Sequence, residues 1–250
     1  MESEFESKNY IVTGASSGIG RAVCIELSKQ KANVLLIARN EERLRNTLSE
    51  MDAAGHMAIS FDLSDINGIQ NIVKSGYERY GKIDGFIHCA GEGQGASLQK
   101  STYNLLHGMM LVHYYAFVEF VRYLIKSKEK DYPLRIVGVS SVASKAHNRH
   151  DTGYSASKAA LEAAVRVLSA ELVKKNSTIN AVCPAYVDTG RQSGLQNLFG
   201  DVNEYLKRTG FQPYGMIDPP DVAKLILYLL GDAAKSITGM SVPINGGARF

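Results

Sequence analysis

No apolar run in this chain approaches the roughly 18 residues that a helix needs to cross a bilayer. No membrane span is expected. The N-terminus, Met1-Glu2-Ser3-Glu4-Phe5-Glu6, lacks the basic residues of an export signal and is acidic instead. Cysteine is scarce: Cys24, Cys89 and Cys183 are odd in number and far apart. That argues against a disulfide framework and for free thiols in a reducing compartment. A formal charge of +3, with no long basic block, argues against nucleic acid as a partner. A cytoplasmic protein is expected.

The 250 residues carry no linker, repeat or low-complexity tract, which favours a single domain over 1–250. Seven short apolar runs read as strands: Asn9–Thr13, Asn33–Ala38, Ala58–Asp62, Gly85–Cys89, Arg135–Ser140, Thr178–Cys183 and Ser241–Ile244. Runs apolar on both faces, such as Val34-Leu35-Leu36-Ile37-Ala38, suit a parallel sheet covered on both sides. Amphipathic stretches lie between them, at about Ile19–Gln30, Glu41–Ala54, Ile66–Tyr80, Tyr103–Ser127, Gly153–Lys175 and Pro220–Leu230. This alternation predicts an α/β fold with a doubly wound (Rossmann) seven-stranded parallel sheet. An irregular insertion at about Thr189–Pro219, with a short helix near Val202–Arg208, reads as a substrate loop.

The first strand runs into Thr13-Gly14-Ala15-Ser16-Ser17-Gly18-Ile19-Gly20 and then a helix. Such a turn lets the backbone approach a pyrophosphate, with the positive end of the helix facing it. The second strand ends in Ala38-Arg39, where an NAD site favours a carboxylate for the ribose 2′-hydroxyl. A guanidinium there suits a 2′-phosphate, so NADP(H) is the expected cofactor. Asp62, at the end of the third strand, reads either as an adenine contact or as a helix cap.

Tyr154 and Lys158 are four residues apart, so in a helix they share one face. A neighbouring ammonium favours a phenolate, and a tyrosine so tuned exchanges protons with an alcohol or carbonyl oxygen.

Together these motifs closely resemble the short-chain dehydrogenase/reductase family, in its 3-oxoacyl-carrier-protein-reductase-like, single-domain branch. The resemblance runs through Thr13-Gly14-x-x-x-Gly18-x-Gly20, Asp62-Leu63, Ala90-Gly91, Ser141, Tyr154-x-x-x-Lys158, Pro184 with Thr189, and Asn245-Gly246-Gly247. It implies an oxidoreductase acting on a small carbonyl or alcohol. Tyr154 would be the acid/base, Lys158 its tuner and ribose ligand, and Ser141 the group that orients the substrate oxygen. Gly14, Ser16, Ser17, Gly18, Ile19 and Gly20 would line the pyrophosphate, with Arg39 at the 2′-phosphate. Asp62 and Leu63 would flank adenine, Ala90 and Gly91 the adenosine ribose. Pro184, Thr189 and the backbone near Val187 would hold the nicotinamide.

The chain departs from the family at His88-Cys89, where two asparagines are usual, and at Ala185, where glycine follows the proline. Counting from Gly91, the family's catalytic asparagine falls on His113. This histidine reads either as a relay group or as a core residue. The alternative to an enzyme is a catalytically impaired nucleotide-binding regulator or scaffold. His147-Asn148-Arg149-His150-Asp151 is too irregular for a metal site, and none is expected. Polar residues in Glu92–Thr102 and in the insertion (Gln94, Ser97, Gln99, Arg191, Gln192, Ser193, Lys207, Arg208) favour a polar substrate. The apolar faces of Tyr103–Ser127 and Gly153–Lys175, with Leu161, Ala164, Val165, Leu168 and Leu172, suggest a homo-oligomer, a tetramer or dimer.

Overall fold

Strand β1 (Asn9–Thr13) is buried along its whole length, and β2 (Asn33–Ala38) is buried from its second residue on. Their side chains alternate between two cores, as the pleat requires. Val12 and Leu36 pack on one side of the sheet, and Ile11, Leu35 and Ile37 on the other. The remaining strands are β3 (Met57–Ser60), β4 (Gly85–His88), β5 (Arg135–Val139), β6 (Thr178–Pro184) and β7 (Ser241–Ile244). All seven form one parallel sheet in the order β3-β2-β1-β4-β5-β6-β7. The computed structural model describes residues 3–52, 55–91, 93, 95–146, 148–190 and 200–248.

Helices cover both faces. On one side lie α1 (Gly18–Lys29), α2 (Glu41–Ser49) and α8 (Pro219–Leu230), which contribute Leu27, Leu44, Ile226 and Leu230 to the first core. On the other lie α3 (Ile69–Tyr80), α5 (Ala116–Ser127) and α6 (Thr152–Leu172), which contribute Ile72, Phe120, Leu161 and Val165 to the second. Two shorter helices are α4 (Tyr103–Met110) and α7 (Val202–Thr209). Asn40 caps α2 by accepting from the Arg43 N–H at 2.8 Å, and Glu41 and Glu42 complement its positive end. By contrast, α1 has no acidic residue in its first turn, which leaves its positive end to an anion.

Most boundaries fall within a residue or so of expectation, and three of the differences matter for the site. The helix begun at Glu41 stops at Ser49, and Ala53 and Ala54 lie outside the described residues. The third strand runs Met57–Ser60, which places Asp62 in the following turn. The long helix expected over Tyr103–Ser127 is broken by a π-helical turn at Leu111–Tyr115, with His113 at its centre. Such a turn inserts a residue and releases a carbonyl from the usual ladder. His88 Nε2 donates to the Val112 carbonyl at 3.0 Å, satisfying one acceptor there.

Leu161, Val165 and Leu172 do not form an outer apolar face. They are buried in the second core, because α6 packs that face against the sheet. The exposed large apolar residues on the two stretches 103–127 and 153–175 are Tyr103, Tyr115, Val167 and Val173. Among the described residues, no helix is long and apolar enough to cross a membrane.

Candidate active site

In a doubly wound sheet, ligands bind beyond the C-terminal strand ends, where the strand order reverses. Here the reversal lies between β1 and β4, which pair with Thr13 opposite His88. The glycine loop leaves β1 at that point. Gly18 has φ +53°, and a Cβ on it would come within 2.9 Å of the Thr189 methyl. Thr189, distant in sequence, therefore closes over the loop. A Cβ on Gly14 would come within 2.7 Å of the Ala90 nitrogen, so the loop also packs on the end of β4. Ser16, Ser17 and Ile19 are half-buried in the same loop, and Gly20 is buried beneath it.

Arg39 is exposed at the end of β2 and lies close enough to Asp62 to act on its charge. Asp62 accepts from the Ser64 N–H at 2.9 Å. That bond, joined by the Ser64 hydroxyl and last by Arg39, holds its carboxyl below the usual range against the opposing effect of burial. Asp62 is exposed and Leu63 buried. Ala90, Pro184 and Val187 are buried around the strand ends, and Val187 pairs with Ile217 from the far side of the insertion. This glycine cradle with a cation at the β2 end fits a phosphorylated dinucleotide.

Ser141 follows β5, and Tyr154 and Lys158 stand one turn apart on α6. The Ser141 hydroxyl accepts from the Ala143 N–H at 3.2 Å, lies 3.4 Å from the Pro184 carbonyl, and hydrogen-bonds the Tyr154 phenol. Lys158 is buried and donates to the Val139 carbonyl at 2.8 Å. Its Nζ stands 5.7 Å from the centroid of the Tyr154 ring. Burial pushes the Tyr154 phenol up, opposed by the Ser141 hydrogen bond. Burial pushes the Lys158 ammonium down to about 8, opposed by Cys89, Cys183 and Glu162. The sequence expectation of a phenol lowered by its lysine is thus reversed. Here desolvation of the phenol outweighs its favourable contacts.

His113 is buried behind this pair. Its Nδ1 lies 2.7 Å from Ser157 Oγ, which donates its own proton to the Tyr154 carbonyl at 2.8 Å. Ser157 must therefore accept from His113, so the proton sits on Nδ1 and the lone pair on Nε2. A Cβ on Gly91 would be 3.0 Å from His113 Nε2 and 3.1 Å from Lys158 Nζ. Only a glycine leaves that space between imidazole and ammonium. The His113 and Tyr154 rings meet edge to face at 5.6 Å. Burial, then Lys158 and His88, hold His113 down to about 2, so it is neutral at ordinary pH.

His88 has the opposite tautomer. The Val112 carbonyl can only accept, so Nε2 carries the proton and Nδ1 accepts from the Thr13 hydroxyl at 2.9 Å, while the same hydroxyl accepts from the Ala90 N–H at 3.3 Å. Burial holds His88 down to about 3. Sequence reasoning found His113 but missed this partnership. The signal was present, since the chain carries both histidines in place of family asparagines.

The insertion is anchored by Gln212, whose fully buried amide accepts from the Tyr186 N–H and donates to the Tyr186 carbonyl, both at 3.0 Å. Nothing in the composition marked this residue out. Phe211 packs on Tyr186 at 5.9 Å, while Lys207, Arg208 and Tyr214 are exposed. Gln94, Arg191, Gln192 and Ser193, expected around the pocket, lie outside the described residues, as does His147. Ser97 is half-buried and Gln99 exposed. The backbone before Ser97 is tied to the segment before α6 by an Ala96 N–H to His150 carbonyl bond of 2.8 Å.

Comparison with known proteins gives a match over residues 14–249 to the family model described as enoyl-(acyl carrier protein) reductase. The short-chain dehydrogenase/reductase FrzI of Cladobotryum is 31% identical, over 96% of this chain and 95% of that one. A short-chain dehydrogenase/reductase from Brucella melitensis, described as a glucose/ribitol dehydrogenase, superposes with a TM-score of 0.90. It is 25% identical, with all of both chains covered. A single-substitution variant of actinorhodin polyketide ketoreductase, solved with NADPH, gives a TM-score of 0.84. It is 26% identical, over 99% of this chain and 98% of that one.

Proposed function

The chain belongs to the short-chain dehydrogenase/reductase family, a family of oxidoreductases, and from that premise we propose that it moves hydride between NADP(H) and a carbonyl or secondary alcohol. The observation that carries this reading is the convergence of Ser141, Tyr154 and Lys158 beside the glycine loop. A nicotinamide cofactor, when bound, supplies or accepts the hydride. Ser141 orients the substrate oxygen. Tyr154 gives that oxygen a proton in reduction and takes one in oxidation. Lys158, charged below about pH 8, stabilises the phenolate left behind. His113, neutral and fixed by Ser157, holds the turn that carries Tyr154 and presents its Nε2 lone pair toward Lys158.

The cofactor residues take the places the glycine cradle suggests. Gly14, Ser16, Ser17, Gly18, Ile19 and Gly20 line the pyrophosphate, and Arg39 meets the 2′-phosphate. Asp62 and Leu63 flank adenine, Ala90 and Gly91 the ribose, and Pro184, Val187 and Thr189 the nicotinamide. Arg39 supports NADP(H) over NAD(H), as does the NADPH found with the actinorhodin ketoreductase. Exposed Tyr103, Tyr115 and Val167 support a homo-oligomer through the helices flanking the site, which a solution mass measurement checks.

The test of this function is a panel of ketones, keto-sugars, ketoacyl thioesters and the matching alcohols, with an enoyl thioester as control, run with both NADPH and NADH. We expect carbonyl turnover with NADPH that Tyr154→Phe abolishes while NADPH binding survives. NADPH binding with no turnover on any member, and wild type indistinguishable from Tyr154→Phe, would establish a nucleotide-binding regulator instead.

A further inference from the structure

The helix that carries Tyr154 and Lys158 continues the same face to Glu162, one further turn along. Glu162 is only 2% exposed, and a buried carboxylate is costly unless it is paired and hydrogen-bonded. Its partners lie outside its own helix. The Ser140 hydroxyl, immediately before Ser141, donates to Glu162 Oε1 at 2.7 Å and also lies 3.3 Å from the Lys158 carbonyl. Lys145, just after the Ser141 turn, stands 3.6 Å from Oε2. The Cys183 thiol on β6 reaches Oε1 at 3.5 Å. Two buried hydroxyls with no other hydrogen-bond partner among the described residues, Ser144 and Ser241, face the same carboxylate. Burial works against the charge, but these contacts outweigh it and hold the carboxyl below its usual range.

We infer that Glu162 is a positioning residue whose buried carboxylate ties the Ser141 turn to α6 and sets a negative charge one helical turn from Lys158. The tie is geometric: Ser140, Ser144 and Lys145 bracket Ser141 in sequence, and Glu162 gathers all three. The charge argument follows from what surrounds Lys158. Cys89 after β4 and Cys183 on β6 are thiols raised by burial to about 12, hence neutral. His88 on β4 and His113 in the π-helical turn are neutral imidazoles. Tyr154 is a raised phenol, and β5 offers only the Val139 carbonyl. Among the described groups acting on Lys158, Glu162 is the one ionised at neutral pH.

The inference rests on reading Ser141, Tyr154 and Lys158 as the reaction centre, and its test separates the two. The Lys158 ammonium is titrated by NMR in lysine-labelled protein, its signal assigned by its loss in Lys158→Met. Glu162→Gln keeps the shape and removes the charge, and should lower the Lys158 midpoint by about one pH unit. Lys145→Met acts from the exposed side of the pair, leaves Glu162 less compensated, and should raise that midpoint. Ser140→Ala cuts the tie but keeps the charge, so kcat should fall with the midpoint unmoved. A Lys158 midpoint that stays put in Lys145→Met, and in Glu162→Gln if that variant folds, would overturn the inference even if thermal stability drops. A wild type that turns over no substrate would defeat the functional reading and leave the titration result standing.

Discussion

His113→Asn installs the asparagine that the family resemblance leads one to expect at this position. In this structure that substitution is expected to do harm. His113 is 1% exposed, donates to Ser157 at 2.7 Å and meets the Tyr154 ring edge to face. The shorter asparagine loses the ring contact, about 1 kcal/mol beyond its buried area. It also stretches or breaks the Ser157 bond, roughly another 1 kcal/mol. A total near 2 kcal/mol lowers Tm by about 4–8 °C in a chain of this size. Ser157 holds the Tyr154 carbonyl, so the loosened turn should also lower kcat/KM by about tenfold, equivalent to about 1.4 kcal/mol of transition-state stabilisation. NADPH affinity should stay within about twofold, since no glycine-loop residue is touched. The assay is initial-rate kinetics across the full pH range, with calorimetry on the same samples. The imidazole is held near 2, so wild type and variant should share one acid limb. A rate equal to or above wild type would refute the claim that His113 is adapted to its place. An acid limb near the ordinary histidine pKa, present in wild type and absent in the variant, would refute its neutrality.

Three further outcomes follow from the same geometry. Arg39→Ala should weaken NADPH binding about tenfold and leave NADH binding nearly unchanged, measured by fluorescence titration with both; equal losses would remove Arg39 from the 2′-phosphate site. Gly18→Ala places a Cβ in a left-handed backbone and against Thr189, so it should cost about 1–2 kcal/mol of folding stability, seen as a lower Tm, and weaken NADPH more than tenfold. Unchanged binding would show that Thr189 does not seat the cofactor. Lys158 is the base with the lowered pKa, so it loses its proton as pH rises through about 8. Because the charged form is the useful one, kcat/KM should fall above that value; a profile flat well into the alkaline range would exclude Lys158 as the source of the limb.

Lys158 also bears on stability. Its folded pKa lies below that of an unfolded lysine, so between the two values the unfolded chain binds more protons and stability rises with pH. Below about 8 both states are charged, and the folded state carries the cost of a buried ammonium. The candidate site therefore holds a charge whose burial costs stability below about pH 8, a pattern common where chemistry needs a displaced pKa.

Much of the architecture was legible in the chain alone. Parallel strands buried on both faces are near-continuous apolar runs, so β1 and β2 stand where the residues placed them, and the half-buried edge strand β7 keeps its expected bounds too. The glycine loop and the Tyr154–Lys158 spacing were legible because a close backbone approach and a shared helix face are local requirements. The π-helical turn was not, because a single inserted residue shifts the apolar phase by one position, and Leu111–Tyr115 is apolar or aromatic on almost every face, so the shift leaves no mark in the sequence. The roles of Leu161 and Val165 were misjudged because periodicity shows that a face is apolar and says nothing of whether sheet or partner covers it.

Sequence by itself determined the element order, the glycine turn after β1 and the placing of Tyr154 and Lys158 on one helix face, each set by local patterning. Only the tertiary structure decided the electrostatics behind that pair. The direction of the Tyr154 shift, the opposed tautomers of His88 and His113, and the hold of Glu162 on the Ser141 turn depend on burial and on partners from β1, β4, β5, β6 and the π-helical turn. Desolvation is a property of everything packed around a group, and no local spacing encodes it.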